Sequence, residues 1–366
     1  MVSQKEEKYA FNLINQSLKM KKGEKIWIEA RDIPEDFVCE LIKQVRNIGG
    51  LPFVNYSTQR INRQIMECCD NLDFINLKKD FDLEKMRNMD CFLSITAPLN
   101  TQGFRTLDPK KMQNFNTIYE KEVHFNQRVN HTRWLICNYP SQSLASRAKM
   151  SFDEYAEYLL DVCTIDYGKM REVLMPLKQL LEKTDKVKIL GKGTDLTFSI
   201  KGMNAVICAG ESNIPDGEIY TAPILDSVNG VISYNAPSVY EGKEFSGIKL
   251  EFENGKIIKS TSNDIESMEE IFNTDLGAKF VGEFALGVNP KINYPVGDIL
   301  FDEKIAGSLH FTPGNAYKDA DNGNKSSIHW DLVLIQTKEF GGGEIWFDDI
   351  LIRKDGLFTS LNKEEV

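Results

Sequence analysis

The sequence predicts two domains: an α/β domain with a mostly parallel sheet over residues 1–184, then a β-rich (α+β) domain over residues 185–366. Three observations carry this. Strand-like apolar runs alternate with helical patterns through the first half, and after EKTDKVKILGKGTD the texture changes to short β-type runs separated by turns. A chain of 366 residues, at about 150 per domain, has room for two to three cores. In chain order, a helical pattern from Lys5 to Met20 precedes the strand KIWIEA. Phe37, Val38, Leu41, Ile42 and Val45 then recur at helical spacing, Gly49 and Gly50 end that helix, and LPFVNYS follows as a strand, giving a βαβ unit. CFLSIT and RWLICNY repeat the buried-strand pattern between further helices. Ser151 and Glu154 form a capping box ahead of EYAEYLLDVC, and a long helix is expected from Met170 to Lys183. Beyond Thr184, NGKI, PDGE, FGGGE and RKDGLF are turns between antiparallel strands. One helix interrupts them from Asp264 to Phe272, with Asn263 or Asp264 as its cap.

Composition narrows the function. With 42% hydrophobic and 27% charged residues the chain is neither disordered nor fibrous. Its 44 basic against 54 acidic residues give a net charge of −10 with no basic cluster, which argues against nucleic acid and for a small molecule or peptide as partner. MVSQKEEKYAFNLINQ carries charges where a signal peptide needs an apolar core, and no stretch approaches the roughly 18 apolar residues of a membrane span. No membrane association and a cytoplasmic location are therefore expected. Seven cysteines without a C-x-x-C pair, several inside apolar runs, read as buried reduced thiols.

Four histidines remain to be weighed. His124, in a polar helical stretch, and His131, in a loop, read as surface residues. His310 and His329 lie in β-type runs. In SSIHWDLVLIQ, strand alternation puts His329 and Asp331 on one face and Ile328, Trp330 and Leu332 on the other. That pair is either mutually hydrogen-bonded at a sheet edge or ligates a metal. Glu218 follows a Pro-Asp-Gly turn and Glu283 sits in the apolar run AKFVGEFALGVNP. Together these residues offer two imidazoles and three carboxylates, with all cysteines elsewhere. Such a set suits Zn²⁺, Mn²⁺ or Co²⁺, and three carboxylates with one hydroxide would neutralise two dications.

The chain resembles the aminopeptidase T, aminopeptidase S and PepS family of dinuclear metallo-aminopeptidases nearly end to end. The resemblance is carried by KKGEKIWIEA, GGLPFVNY and GTDLTFSIKG, and most specifically by IPDGEIYTAP, FVGEFALGVNP, EKIAGSLHFTPGNAY, IHWDLVL and GGGEIWFDD. It implies that Glu218, Glu283, His310, His329 and Asp331 hold two divalent metal ions in the β-rich second domain, that Tyr317 is an active-site tyrosine, that the substrates are peptides, and that the chain forms a homodimer. On that footing a water between the ions is the nucleophile, Glu283 is the expected general base, and Tyr317 donates a hydrogen bond to the oxyanion. Two alternatives remain open. His310, His329 and Asp331 alone make the ligand set of a mononuclear non-haem iron oxygenase, and ring-cleaving dioxygenases acting on hydroxypyridines resemble the same family. A homologue that binds peptides without cleaving them is the other.

Overall fold

The computed structural model describes residues 2–100, 103–240 and 242–359, which fall into two compact units. The first comprises the residues up to 165 together with 210–215; the second comprises 166–209 and the residues from 216 onward. This division precedes the expected boundary at Thr184, because the helix Tyr167–Leu181 buries Leu174, Leu177 and Leu181 in the core of the second unit.

The first unit is built on a five-stranded sheet in which every pair is parallel. Its order is Leu51–Ser57, Lys25–Arg31, Cys91–Thr96, Arg133–Asn138 and Asn213–Ile214. Ile26, Trp27, Ile28 and Ala30 are all buried, as a strand covered on both faces requires. The helix Glu35–Asn47 buries Phe37, Val38, Leu41 and Val45, and Gly49, at φ 75°, follows it. Both Ser3 with Glu6 and Ser151 with Glu154 close reciprocal capping boxes.

His131 is exposed as expected, whereas His124 is not at the surface. It is buried on the π-helix Asn116–Arg128, its ring 5.6 Å from that of Phe92, and Arg128 Nε donates to its Nδ1 at 3.1 Å. Burial, reinforced by Arg128, pushes its pKa down to about 3. The stretch reads as solvated because Lys121 and Asn126 are exposed, while Asn116 and Glu120 line a cavity beside His124.

The second unit stacks two antiparallel sheets around one core. The larger has eight strands; the smaller runs Val333–Ile335, Ser308–Pro313, Val281–Gly287, Glu218–Thr221 and Val206–Cys208. Between the sheets, Phe198 lies 5.0 Å from both Phe284 and Phe311. Ile219, Phe284, Leu286, Leu309 and Phe311 take the core face of the smaller sheet. Alternation therefore gives its other face to Glu218, Tyr220, Glu283, Ala285, His310 and Thr312. The helix Ile265–Phe272 is capped by Asp264, which accepts from Ser267 N.

Candidate metal centre

Three features aim the side chains of that polar face at one point. Gly217, at φ 128°, lets the turn before Glu218 press against Asn289, where a Cβ would come within 2.8 Å of the Asn289 Cβ. Asn289 Nδ2 donates to Asp216 O at 2.6 Å and fixes the approach. A register shift between Val281 and Glu283, at a glycine whose Cβ would lie 2.4 Å from the carbonyl oxygens of Gly314 and Asn315, turns Glu283 inward. Ala285, opposite both Tyr220 and His310, leaves the middle of the face open.

His329 and Asp331 do not lie on a regular strand, which corrects the expectation: among the described residues the ladder pairing at His329 is an isolated bridge to Gly314, and the strand begins at Val333. Their alternation survives because Ile328, Trp330 and Leu332 are anchored in the core. The Trp330 ring packs 4.8 Å from Phe245 and 5.6 Å from Phe272, and its Nε1 donates to Ser238 Oγ at 2.9 Å. Core packing here replaces the hydrogen-bond ladder in setting the direction of the two side chains.

All five expected ligands converge. Glu283, only 2% exposed, places Oε1 at 3.3 Å from His310 Nε2 and Oε2 at 3.2 Å from His329 Nε2. Glu218 Oε2 lies 3.4 Å from His310 Nε2, and Asp331 Oδ1 lies 3.3 Å from His329 Nε2. The His329 ring is oriented by a 2.8 Å contact from Nδ1 to Asn315 O, which calls for a proton on Nδ1 and frees Nε2. Thr312 Oγ1 donates to Asp331 Oδ1 at 2.7 Å. Glu218 Oε2, His310 Nδ1 and His329 Nε2 are buried atoms without a hydrogen-bond partner, which a cation seated among the donors would repair for Glu218 and His329.

The electrostatics agree. Burial alone would lower the imidazole pKa values, but Glu283, Glu218 and Asp331 overcome it and raise His310 to about 9, while Asp331 and Glu283 raise His329 to about 12. Burial opposes ionisation of Glu283 and Asp331 too, yet the two imidazoles hold both carboxyls below their usual range. These shifts favour positive charge at the places a cation would take.

The sequence missed several neighbours. Lys304, 1% exposed, holds Nζ at 3.3 Å from Glu218 Oε1 and forms a very short contact with Glu303. Glu303 offers an oxygen within ligand distance of Glu218 and His310, and burial raises its pKa to about 8. Cys208, read as remote, is paired with Glu218 across the strands and groups with Asp216 and Glu218. Burial keeps its thiol well above the usual pKa, so it remains protonated. Tyr317 lies over the site, its ring 4.5 Å from His329 and 5.5 Å from Tyr220. The residue is 45% exposed, so its ring is open to a ligand. Desolvation of the hydroxyl, with Glu283 and Asp331 close by, holds the phenol protonated.

A cluster of buried carboxylates and imidazoles with unpartnered ligand atoms is the hallmark of a metalloenzyme, and the sequence matches the profile of the thermophilic metalloproteases (M29) over residues 2–345. The chain belongs to this family. Among M29 relatives, aminopeptidase AmpS of Bacillus subtilis (strain 168) is 24% identical over 368 residues, covering 90% of this chain and 89% of that one. Aminopeptidase T of Thermus aquaticus is 29% identical over 187 residues, 44% of each chain. Wild-type AmpT from Thermus thermophilus superposes with a TM-score of 0.81 at 20% identity, covering 97% of this chain and 99% of that one. The 2,5-dihydroxypyridine dioxygenase from Pseudomonas putida KT2440 shares the fold at a TM-score of 0.62 and 13% identity over 99% of both chains. These two likenesses establish the fold. No helix among the described residues is long and apolar enough to cross a membrane.

Proposed function

We propose that the chain is a metal-dependent aminopeptidase that removes N-terminal residues from peptides, with two divalent ions held by Glu218, Glu283, His310, His329 and Asp331. The observation that carries this reading is Glu283, whose two oxygens approach two different imidazoles. The donors fall into overlapping groups: Glu218 with Glu303 and His310, and Glu283 with His310 and Asp331, while His329 Nε2 meets both Glu283 and Asp331. Nitrogen and oxygen donors without thiolate suit Zn²⁺, Co²⁺ or Mn²⁺. Bound there, such ions would lower the pKa of a bound water and polarise the scissile carbonyl.

The chain's own residues do the rest. Lys304 occupies Glu218 Oε1 and so presents Oε2 to the centre. Glu283, in reach of both halves of the site, is the proton acceptor. Tyr317, protonated and open to a ligand, donates to the oxyanion. Relatives named aminopeptidase AmpS, PepS and T support the reading. We extend it to a homodimer and, with all seven cysteines free, to a cytoplasmic location.

The test pairs elemental analysis with release of a chromogenic N-terminal amino-acid amide. About two ions per chain and chelator-sensitive release are expected. One iron per chain with oxygen uptake on a hydroxypyridine would replace the reading by the mononuclear dioxygenase. Metal without release would leave a peptide-binding homologue.

A further inference from the structure

The first unit contains a cavity of about 250 Å³ that the metal centre does not use. It lies at the carboxyl end of the strand Lys25–Arg31. In the sheet order, the chain leaves this strand to one side and its neighbour Cys91–Thr96 to the other. That is the topological switch point, where open α/β sheets bind their ligands. The wall is made by the helix Gln59–Glu67, which follows the edge strand, and by the π-helix Asn116–Arg128, a wide backbone form concentrated at functional sites.

The lining is chemically specific. Glu29 and Arg31, two residues apart on one strand, project from the same face, and Glu120 reaches in from the π-helix. None of the three makes a side-chain hydrogen bond or an ion pair within 4 Å among the described residues, and Arg31 Nε is buried without a partner. Arg31 and Lys78 act through space on both carboxyls, and Arg128 on Glu120, but half-buried charges without direct hydrogen bonds remain costly unless something supplies them. Lys78, also on the wall, is already paired with Asp82 at 2.6 Å. Ile65, Met112 and Phe115 form the apolar remainder. Burial raises the Glu29 and Glu120 pKa values, and a nearby ammonium would offset that cost.

We infer that this cavity binds a free α-amino acid with an apolar side chain: its carboxylate on Arg31, its ammonium between Glu29 and Glu120, its side chain against Ile65, Met112 and Phe115. A zwitterion satisfies both signs without adding net charge. The volume, just below the roughly 300 Å³ where pockets for drug-sized ligands begin, fits a single amino acid. The choice of a free amino acid rests on the aminopeptidase reading, since amino acids are what that reaction releases.

The test uses full-length, metal-stripped protein, so that the metal centre contributes no turnover and the two readings can fail separately. L-leucine and L-methionine are titrated by calorimetry, with leucinamide lacking the carboxylate and isocaproate lacking the ammonium. Saturable binding of both amino acids at millimolar concentration is expected, with each analogue weakened about 10- to 100-fold, the worth of one charge-assisted contact. Arg31→Leu should weaken leucine by a similar factor and leave leucinamide unchanged. Glu120→Gln, nearly isosteric and a safeguard should Arg31→Leu fail to fold, should weaken leucine but not isocaproate. No binding at millimolar concentration, or binding indifferent to these substitutions, overturns the inference. So does binding abolished by Glu283→Gln, which would place the amino acid in the metal centre.

Discussion

Replacing Glu283 by Gln removes the charge at the middle of the metal centre while keeping its shape. Glu283 lies 3.3 Å from His310 Nε2 and 3.2 Å from His329 Nε2. The rise of His310 from 6.5 to about 9 represents about 3 kcal/mol of added proton affinity, shared by Glu283, Glu218 and Asp331. Losing the Glu283 share costs about 1–2 kcal/mol at each imidazole, hence about 2–4 kcal/mol of metal-free stability near neutral pH. On the proposed dinuclear reading the larger consequence is for the ions, since each would lose an anionic ligand in the same substitution. After dialysis against Zn²⁺ or Co²⁺, elemental analysis should fall from about two ions per chain to about one or fewer, and amide hydrolysis should stop. Thermal unfolding of the stripped protein reads the stability change. Two tightly bound ions together with wild-type turnover would falsify the bridging role of Glu283.

Tyr317→Phe should lower turnover by about 100- to 1000-fold with metal content intact, if the phenol stabilises the oxyanion; lost metal or unchanged turnover would remove it from that role. Lys304→Met leaves Glu218 and Glu303 buried without their cation, and should cost about 3–5 kcal/mol on thermal unfolding, partly recovered by adding Glu303→Gln. An unaltered unfolding curve for the single variant would contradict the buried triad. The His310 pKa is higher in the folded chain than the 6.5 of the free group, so its contribution is complete below about pH 6.5 and is lost as pH rises through about 9. Metal-free protein should therefore melt progressively lower across that interval, and metal addition near neutral pH should release protons measurable in weakly buffered solution. A melting temperature flat over that range would contradict the imidazolium assignment.

The five residues that converge on the candidate metal centre were legible because each departs from its surroundings: a carboxylate or imidazole in an otherwise apolar β-type run has to be explained. Parallel strands were legible for the complementary reason, as unbroken apolar runs such as CFLSIT. Glu303 and Lys304 were not, since FDEKIAG has the composition of a solvated turn, and only the packing around Phe301 and Ile305 shows that it is buried. His124 failed in the same way, since it shares its helix with exposed Lys121 and Asn126 while Glu120 faces a cavity that sequence periodicity cannot distinguish from solvent. The direction of His329 and Asp331 was read correctly from alternation, although core anchoring by Trp330 supplies it instead of a strand. Tyr167–Leu181 was recognised as a helix, but amphipathicity does not say which core receives its apolar face, and so the boundary was drawn too late.

The excursion of segment 210–215 has a consequence for how the molecule can be divided. Having begun the second unit, the chain returns to supply the strand Asn213–Ile214 at the edge of the first sheet, where Ile136 N donates to Ser212 O at 2.9 Å, before Glu218 opens the strand that carries it. No single cut releases either unit whole. A fragment beginning at 166 would carry an orphaned edge strand just ahead of the candidate ligand Glu218, and a fragment ending at 165 would expose the edge of Arg133–Asn138. The two units are thus a poor pair for gene fusion or modular exchange, and a transplant of the second unit would have to replace segment 210–215 with a new connection.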